Sequence, residues 1–177
     1  MRRLSLLLAC AGTAALASSM VPRSLDERAR MADRVVFAQV VSSRTENQGT
    51  AEKPKLVTYH HVLIGQDIRG TGPAELDVLQ IGGKWGLWEQ HVTEDAKFVT
   101  GETAVMLLKC LPQGACRLAG LADAKLSVNG DDVFVRDMFN NAWSKQKVAP
   151  LIAHLKQLPA MPAAQAPKAP QAQQVVK

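Results

Sequence analysis

Three histidines stand near other residues that can bind metal ions or transfer protons. His60 and His61 are adjacent in a β-branched stretch, and His91 is followed by Glu94 and Asp95. Neighbouring side chains of a strand point to opposite faces, so His60 and His61 cannot share one ion without a bulge. No zinc-protease, Cys/His-finger or calcium-loop spacing accompanies them. We therefore expect no metal site: one strand histidine faces solvent, the other packs, and the His91 region is a solvated loop.

Motifs for catalysis or nucleotide binding are also missing. The run Gly82-Gly83-Lys84-Trp85-Gly86 lacks the Gly-Lys-Ser/Thr element of a phosphate-binding loop, and no G-x-S-x-G elbow is present. Asp131 and Asp132 fall at the tip of a predicted hairpin, which offers no pocket for acid–base work. The sequence predicts a non-enzymatic protein with no cofactor.

A pair of tryptophans is the clearest candidate for a binding surface. The chain has three tryptophans, and two of them, Trp85 and Trp88, lie within four positions in a glycine-rich segment. Tryptophan is enriched at binding hot spots, and a loop as long as 82–101 is usually functional or disordered in a small domain. We predict a binding surface there, unless one or both tryptophans close the end of the β domain as core. Its members are Trp85, Trp88, Lys84, Glu89 and His91.

The first 17 residues have the pattern of a secretion signal. Arg2 and Arg3 precede an apolar stretch, and Ala15-Leu16-Ala17 supplies small residues for a signal peptidase. Cleavage after Ala17 would release a chain that begins at Ser18. The alternative is a lipobox at Leu7-Leu8-Ala9-Cys10, which would leave the protein anchored to a membrane through a lipid on Cys10. Either way the apolar stretch is too short to span a bilayer.

Cleavage would leave two cysteines, Cys110 and Cys116. Pro112 and Gly114 lie between them, so a hairpin would bring the two thiols together, and an even cysteine count in an exported chain favours a disulfide. We expect a secreted or periplasmic protein. Removal of both leader arginines lowers the formal net charge from +5 to +3, and no dense basic stripe remains. Nucleic acid is therefore not an expected partner.

The rest of the sequence predicts a mainly β domain. A capping box at Ser24-Leu-Asp-Glu27 starts a helix over about 25–32, and residues 142–158 predict a closing helix with Pro150 in its first turn. Residues 44–54 and 65–73 are expected to be loops. Strands are predicted over 34–41, 56–64, 75–81, 103–111, 116–121, 125–128 and 133–135. The folded domain would span 18–158, and the Pro/Ala/Gln-rich residues 159–177 would form a disordered tail.

Residues 24–121 resemble a widespread kind of uncharacterised bacterial exported protein. The resemblance rests on short motifs, which are Ala32-Asp33 before a Val-rich strand, Val62 to Gly65, Gly82-Gly83, Gly101-Glu102 before Leu107-Leu108, and Gly120-Leu121 before Lys125. Such chains resemble the OB-like barrel of tissue inhibitors of metalloproteinase and netrin-like modules. The resemblance implies a small OB-like β-barrel with a short N-terminal helix and a C-terminal helix. Those inhibitors bind the protease zinc through an N-terminal cysteine, which the predicted mature N-terminus lacks.

Together these features predict a non-enzymatic binding module outside the cytoplasm. Its expected partner is a protein in the cell envelope or outside the cell, and no membrane-spanning segment is expected. The alternative is an inhibitor or accessory partner of an extracellular protease, which follows from the barrel resemblance alone.

Overall fold

The computed structural model describes residues 22–93, 95–112 and 114–160. The predicted signal segment 1–17, including Cys10, lies outside these residues, as does the predicted tail from residue 161 onward. The described chain contains two α-helices, α1 (Leu25–Met31) and α2 (Val148–Gln157), and a 3₁₀ turn at Leu121–Ala124. Its strands are β1 (Arg34–Asn47), β2 (Leu56–Arg69), β3 (Glu75–Ile81), β4 (Gly83–Trp85), β5 (Trp88–Gln90), β6 (Thr103–Cys110), β7 (Cys116–Leu118), β8 (Lys125–Asn129), β9 (Asp132–Asp137) and β10 (Ala142–Lys147).

Helix α1 begins at the predicted capping box. The Ser24 side chain accepts a hydrogen bond from the Glu27 amide, and the Glu27 carboxylate accepts one from the Ser24 amide. The buried face of the helix carries Arg28, whose guanidinium donates to the Asp123 carbonyl at 2.7 Å and lies 3.9 Å from the Asp123 carboxylate. Arg28 and Asp123 thereby fix the helix against the 3₁₀ turn.

Five strands close into a barrel. Strand β1 pairs with β2 on one side and with β6 on the other, and the circuit runs β1-β2-β3-β7-β6. All of these pairings are antiparallel except β3 with β7. The central strand β6 is buried on both faces from Ala104 to Leu108, as its continuous apolar run predicts. The prediction of a mainly β barrel with an N-terminal and a C-terminal helix is confirmed.

Two apolar clusters make up the core. One lies inside the barrel, and the other lies between the barrel wall, the helices and a sheet extension in which β8, β9 and β10 continue from β6. The inner cluster includes Val36, Val40, Val62, Val78, Met106 and Leu108. The outer cluster includes Ala29, Val35, Leu107, Leu126, Leu151 and Leu155. Neither helix in the described part of the chain is long and apolar enough to cross a membrane.

Two predicted loops are shorter than expected because β1 and β2 continue into them. Residues 44–47 extend β1, and residues 65–69 extend β2, so the two strands pair over almost their whole length. Gly65, expected in a turn, lies inside β2, where a side chain would approach the Phe37 ring at 3.6 Å. The side chains of these polar residues do not predict strands. The long pairing of β1 with β2 keeps them in strands because it satisfies their backbone hydrogen bonds.

The predicted helix over 142–158 is wrong in its first part. Ala142–Lys147 forms the edge strand β10, which pairs with β9 in register. The helical spacing of Leu151 and Leu155 begins only after this strand, and both leucines are buried in the outer cluster. Pro150 does lie in the first turn of α2, where its missing amide proton costs no intrahelical bond.

Candidate functional site

The segment predicted as one long loop contains a β-hairpin. Strands β4 and β5 pair in register, with Trp85 opposite Trp88, and Gly86 and Leu87 form the two-residue turn between them. Gly86 has φ of 58°, which suits the first central position of a type II′ hairpin turn. We call residues 83–90 the tryptophan hairpin.

The apolar side chains of the tryptophan hairpin lie on the surface. Leu87, at the tip, is 103% exposed, and Trp85 and Trp88 are 42% and 47% exposed. Neither tryptophan belongs to the two core clusters, so they do not close the end of the barrel as core residues. The hairpin therefore presents a tryptophan pair and a leucine side by side to solvent.

Two glycines fix the base of the hairpin to the barrel. The Gly82 amide donates to the Leu56 carbonyl at 2.7 Å, and the Thr58 hydroxyl donates to the Gly82 carbonyl at 2.7 Å. A side chain at Gly83 would lie 2.2 Å from the Thr58 hydroxyl oxygen and 2.7 Å from that of Thr45. Only glycine fits so close to β1 and β2, and at the positive φ of 125° that Gly83 adopts.

The predicted polar neighbours of the tryptophans lie around the same hairpin. Lys84 is the register partner of Glu89, so these two side chains share the face opposite to that of the Trp85–Trp88 pair. His91 is the first residue after the hairpin, and its Nε2 atom lies 3.0 Å from a Glu89 carboxylate oxygen. All three are exposed, and an ion pair of this kind adds little stability. The hairpin thus has one aromatic face and one polar face.

His60 belongs to a chain of hydrogen bonds that the sequence does not reveal. The Gln80 side-chain amide donates to the Ala96 carbonyl at 2.7 Å, so its oxygen accepts from His60 Nε2, also at 2.7 Å. His60 Nδ1 then accepts from the Ser43 hydroxyl at 2.7 Å. Phe98 stacks on the imidazole, with ring centroids 3.9 Å apart. We call the hydrogen-bonded chain Ser43–His60–Gln80–Ala96 the polar ladder. It attaches the segment that follows the hairpin to the barrel.

A bulge in β1 places Ser43 in this ladder. The register shifts between Val40 and Ser42, so Ser43 lies opposite His60 on the same face of β1 as Val40. The Ser43–His60 bond resembles a nucleophile and its base. However, the other ring nitrogen is bonded to the amide of Gln80, where a catalytic triad has a carboxylate. Burial lowers the pKa of His60, and the hydrogen bond that the ring donates to the Gln80 oxygen only partly opposes that shift. The neutral imidazole serves as a structural link.

The two strand histidines point to opposite faces, as predicted. His60 is 5% exposed inside the barrel mouth, and His61 lies on the outer face, with its ring nitrogens 3.2 Å from an Asp77 oxygen and 3.4 Å from a Glu75 oxygen. Among the described residues, no three His, Cys, Asp or Glu side chains lie close enough to hold a metal ion. Glu94, which was considered together with His91, lies outside those residues.

Cys110 and Cys116 lie at disulfide distance across the β6–β7 pair. Their Sγ atoms are 2.07 Å apart, and the two residues are direct register partners. The turn between them therefore brings the thiols together as its Pro and Gly residues predict. Gln113, at the centre of that turn, lies outside the described residues.

Beside this pair the barrel wall opens into a cleft of about 890 Å³. Strands β3 and β7, which both line the cleft, pair at a single position, Val78 with Cys116. Ile81 and Val92, at the base of the tryptophan hairpin, line one side of the cleft.

Comparisons of the chain with protein-family models, with curated proteins and with solved structures find no match. A proposal about function must therefore start from the tryptophan hairpin, the polar ladder and the cleft themselves.

Proposed function

We propose that the protein is a non-enzymatic binding module, secreted or periplasmic, that holds a protein partner through the tryptophan hairpin. The observation that carries the proposal is the exposure of Trp85, Leu87 and Trp88 on one short hairpin. Large apolar side chains that stand together in solvent are a common mark of an interaction site. The predicted secretion signal and the cysteine pair at disulfide distance support a place outside the cytoplasm.

The apolar surface of the hairpin supplies part of the free energy that specific binding needs. Covering an exposed leucine completely contributes about 1.5–3 kcal/mol, and covering the remaining exposed half of each tryptophan contributes about half as much, so these three residues would contribute about 3–6 kcal/mol. Part of that gain is offset by the cost of bringing two molecules together. Micromolar binding requires a net free energy of about 8 kcal/mol, so the partner must also cover the rim of the hairpin.

Rigidity of the hairpin base supports the same proposal. The bonds of Gly82 with Leu56 and Thr58 hold the base in place before any partner arrives. A preformed surface loses less conformational entropy on binding than a flexible loop. The tryptophans therefore need no large ordering step.

The chemistry of the hairpin favours a protein partner. Lys84 and Glu89 carry opposite charges on the polar face, so the hairpin offers no net cationic surface for a nucleic acid backbone. Trp85, Leu87 and Trp88 suit an apolar pocket, and the polar face suits its hydrated rim. A protein that offers such a pocket in the envelope or outside the cell is the partner we propose.

A paired capture experiment tests the proposal. The mature protein and its Leu87→Ser variant are used as baits in parallel on culture medium and envelope extract, because Leu87 is fully exposed and its change should not affect folding. We expect a protein that the parent bait retains and the variant loses. An extracellular protease in that position would favour the proposal of an inhibitor or accessory partner. Equal capture by both baits would contradict a role of the hairpin.

A further inference from the structure

The cleft between β3 and the β6–β7 pair is a second surface, separate from the aromatic face of the hairpin. Its volume of about 890 Å³ falls within the range of small-molecule sites, which are mostly apolar with a few polar groups. One wall is formed by Leu79, Ile81, Val92 and Phe98, all apolar.

The opposite wall carries an excess of positive charge. Lys109 and Arg117 are direct register partners on β6 and β7, an arrangement of like charges that is unfavourable without a nearby anion. The Asp33 carboxylate bonds the Lys109 ammonium at 2.8 Å and the Cys110 amide at 3.0 Å. Arg117 and Arg30, which also lines the cleft, form no ion pair with any residue that the structure describes.

These cations lie close together in the fold. The Asp33 amide donates to the Leu108 carbonyl, which places the end of α1 beside the β6–β7 pair. Arg30 is in the last turn of that helix, three residues before Asp33. One side of the cleft is therefore cationic, and the side formed by β3 and the 91–101 segment is apolar, apart from Gln80 and Asp95.

We propose that this cleft binds an amphipathic carboxylate, a fatty acid being the simplest member of that class. The carboxylate head lies at Arg117 and Arg30, and the alkyl chain covers Leu79, Ile81 and Val92. An anionic head neutralises Arg117 and Arg30, which form no ion pair with any described residue, and charge-assisted hydrogen bonds from guanidinium groups are among the stronger ones in proteins. The apolar wall supplies the contacts that hold the chain.

The backbone at the edge of the cleft supports this assignment. Leu121, which lines the cleft, has φ of 46°, in the left-handed region that leucine seldom adopts. Residues held in such conformations gather at ligand sites, where the surrounding structure maintains them. Here the conformation starts the 3₁₀ turn that follows the cleft wall.

Displacement of a dansyl-labelled undecanoate tests the proposal. Decanoate and 1-decanol, both below their aggregation concentrations, compete with the probe for the full-length mature protein. We expect decanoate to displace it and 1-decanol to bind at least about tenfold more weakly, because only the carboxylate can bond the guanidinium groups. Equal binding of the two competitors, or no binding of the probe, would overturn the proposal.

Variants then locate the head and the chain. Combined Arg30→Gln and Arg117→Gln substitutions should weaken decanoate binding about tenfold and leave 1-decanol unchanged. Ile81→Ser, at a side chain that is 61% exposed, should weaken both competitors. Lys156→Gln, at an exposed residue of α2 outside the cleft, and Leu87→Ser on the hairpin should change neither. Unchanged decanoate binding in the double arginine variant would refute the proposed head site, and a loss with Leu87→Ser would place the ligand on the hairpin instead.

Discussion

The imidazole of His60 lies flat on the ring of Phe98, with centroids 3.9 Å apart and planes inclined by 10°. Phe98 belongs to the segment that follows the tryptophan hairpin, so this stack joins that segment to the barrel interior. Ser43 and Gln80 occupy both ring nitrogens of the histidine. The Ser43 hydroxyl can donate to a neutral ring or accept from a protonated one, so it is the burial of the ring that requires neutral His60.

This requirement predicts a dependence of stability on pH. Burial lowers the pKa of His60 below its ordinary value of about 6.5, so the unfolded chain takes up the proton first as the pH falls. The contribution of His60 is complete above about pH 6.5 and is lost as the pH decreases through that value and below. Asp95 and Glu102 partly oppose the shift, and Lys125 adds to it.

Urea unfolding at about pH 7.5 and about pH 5.5 measures this effect. We expect the native protein to lose stability between the two conditions, and His60→Gln to lose less. The matched control is His91→Gln, at an exposed hairpin histidine, which should behave like the native protein. The same loss in His60→Gln as in the native protein would show that another group titrates.

The base of the hairpin predicts different effects for two glycine substitutions. Gly83→Ala should cost about 2–3 kcal/mol of unfolding free energy, since the new methyl group meets Thr58 and Thr45. Gly86→Ala should cost only about 1 kcal/mol, because no atom lies within 4 Å of the new methyl group and the φ of Gly86 is in the ordinary left-handed region. Chemical denaturation of both variants checks the difference. Equal costs would mean that the close contact at Gly83 is absent in solution.

The cysteine pair predicts a covalent link in the exported protein. Unreduced material should react with no thiol reagent, and Cys110→Ser combined with Cys116→Ser should lower the stability by about 2 kcal/mol, as the short loop implies. Mass spectrometry after alkylation measures the first effect, and thermal melting measures the second. Two labelled thiols in freshly exported protein would contradict the link.

The leader predicts the start of the mature chain. Intact-mass measurement of the exported protein should give a chain that begins at Ser18, because Ala15-Leu16-Ala17 fits signal peptidase. A diacylglycerol on Cys10 would instead establish the lipid-anchored alternative, and a mass that includes residues 1–17 would refute cleavage.

Elements with strong local signals could be predicted from the sequence. The Ser24–Glu27 capping box located α1, and the β-branched stretches located β1, β2 and β3. The turn residues between Cys110 and Cys116 predicted that the two would meet. The alternation rule separated His60 from His61. Each of these signals acts within a few residues along the chain.

Features that depend on tertiary pairing could not be predicted in this way. Strand β10 is exposed along its whole length, so it lacks the apolar alternation that identifies a strand, and its pairing with β9 fixes it. The ladder joins Ser43, His60 and Gln80 because the bulge near Val40 places Ser43 on the face of β1 that lies beside His60. The cleft is lined by residues of β3, β6, β7 and α1, which come from distant parts of the chain. No local pattern encodes these relationships.

Paired measurements of binding and melting decide whether the tryptophan hairpin binds a protein partner. Trp85→Ala and Trp88→Ala should each weaken binding of the captured partner by about 2 kcal/mol or more, while the melting temperature changes little. Trp143→Ala, at the third tryptophan, is 66% exposed on β10 and should leave both measurements unchanged. If both hairpin variants instead lost about 3–5 kcal/mol of stability, with binding per folded molecule unchanged, the claim would be contradicted.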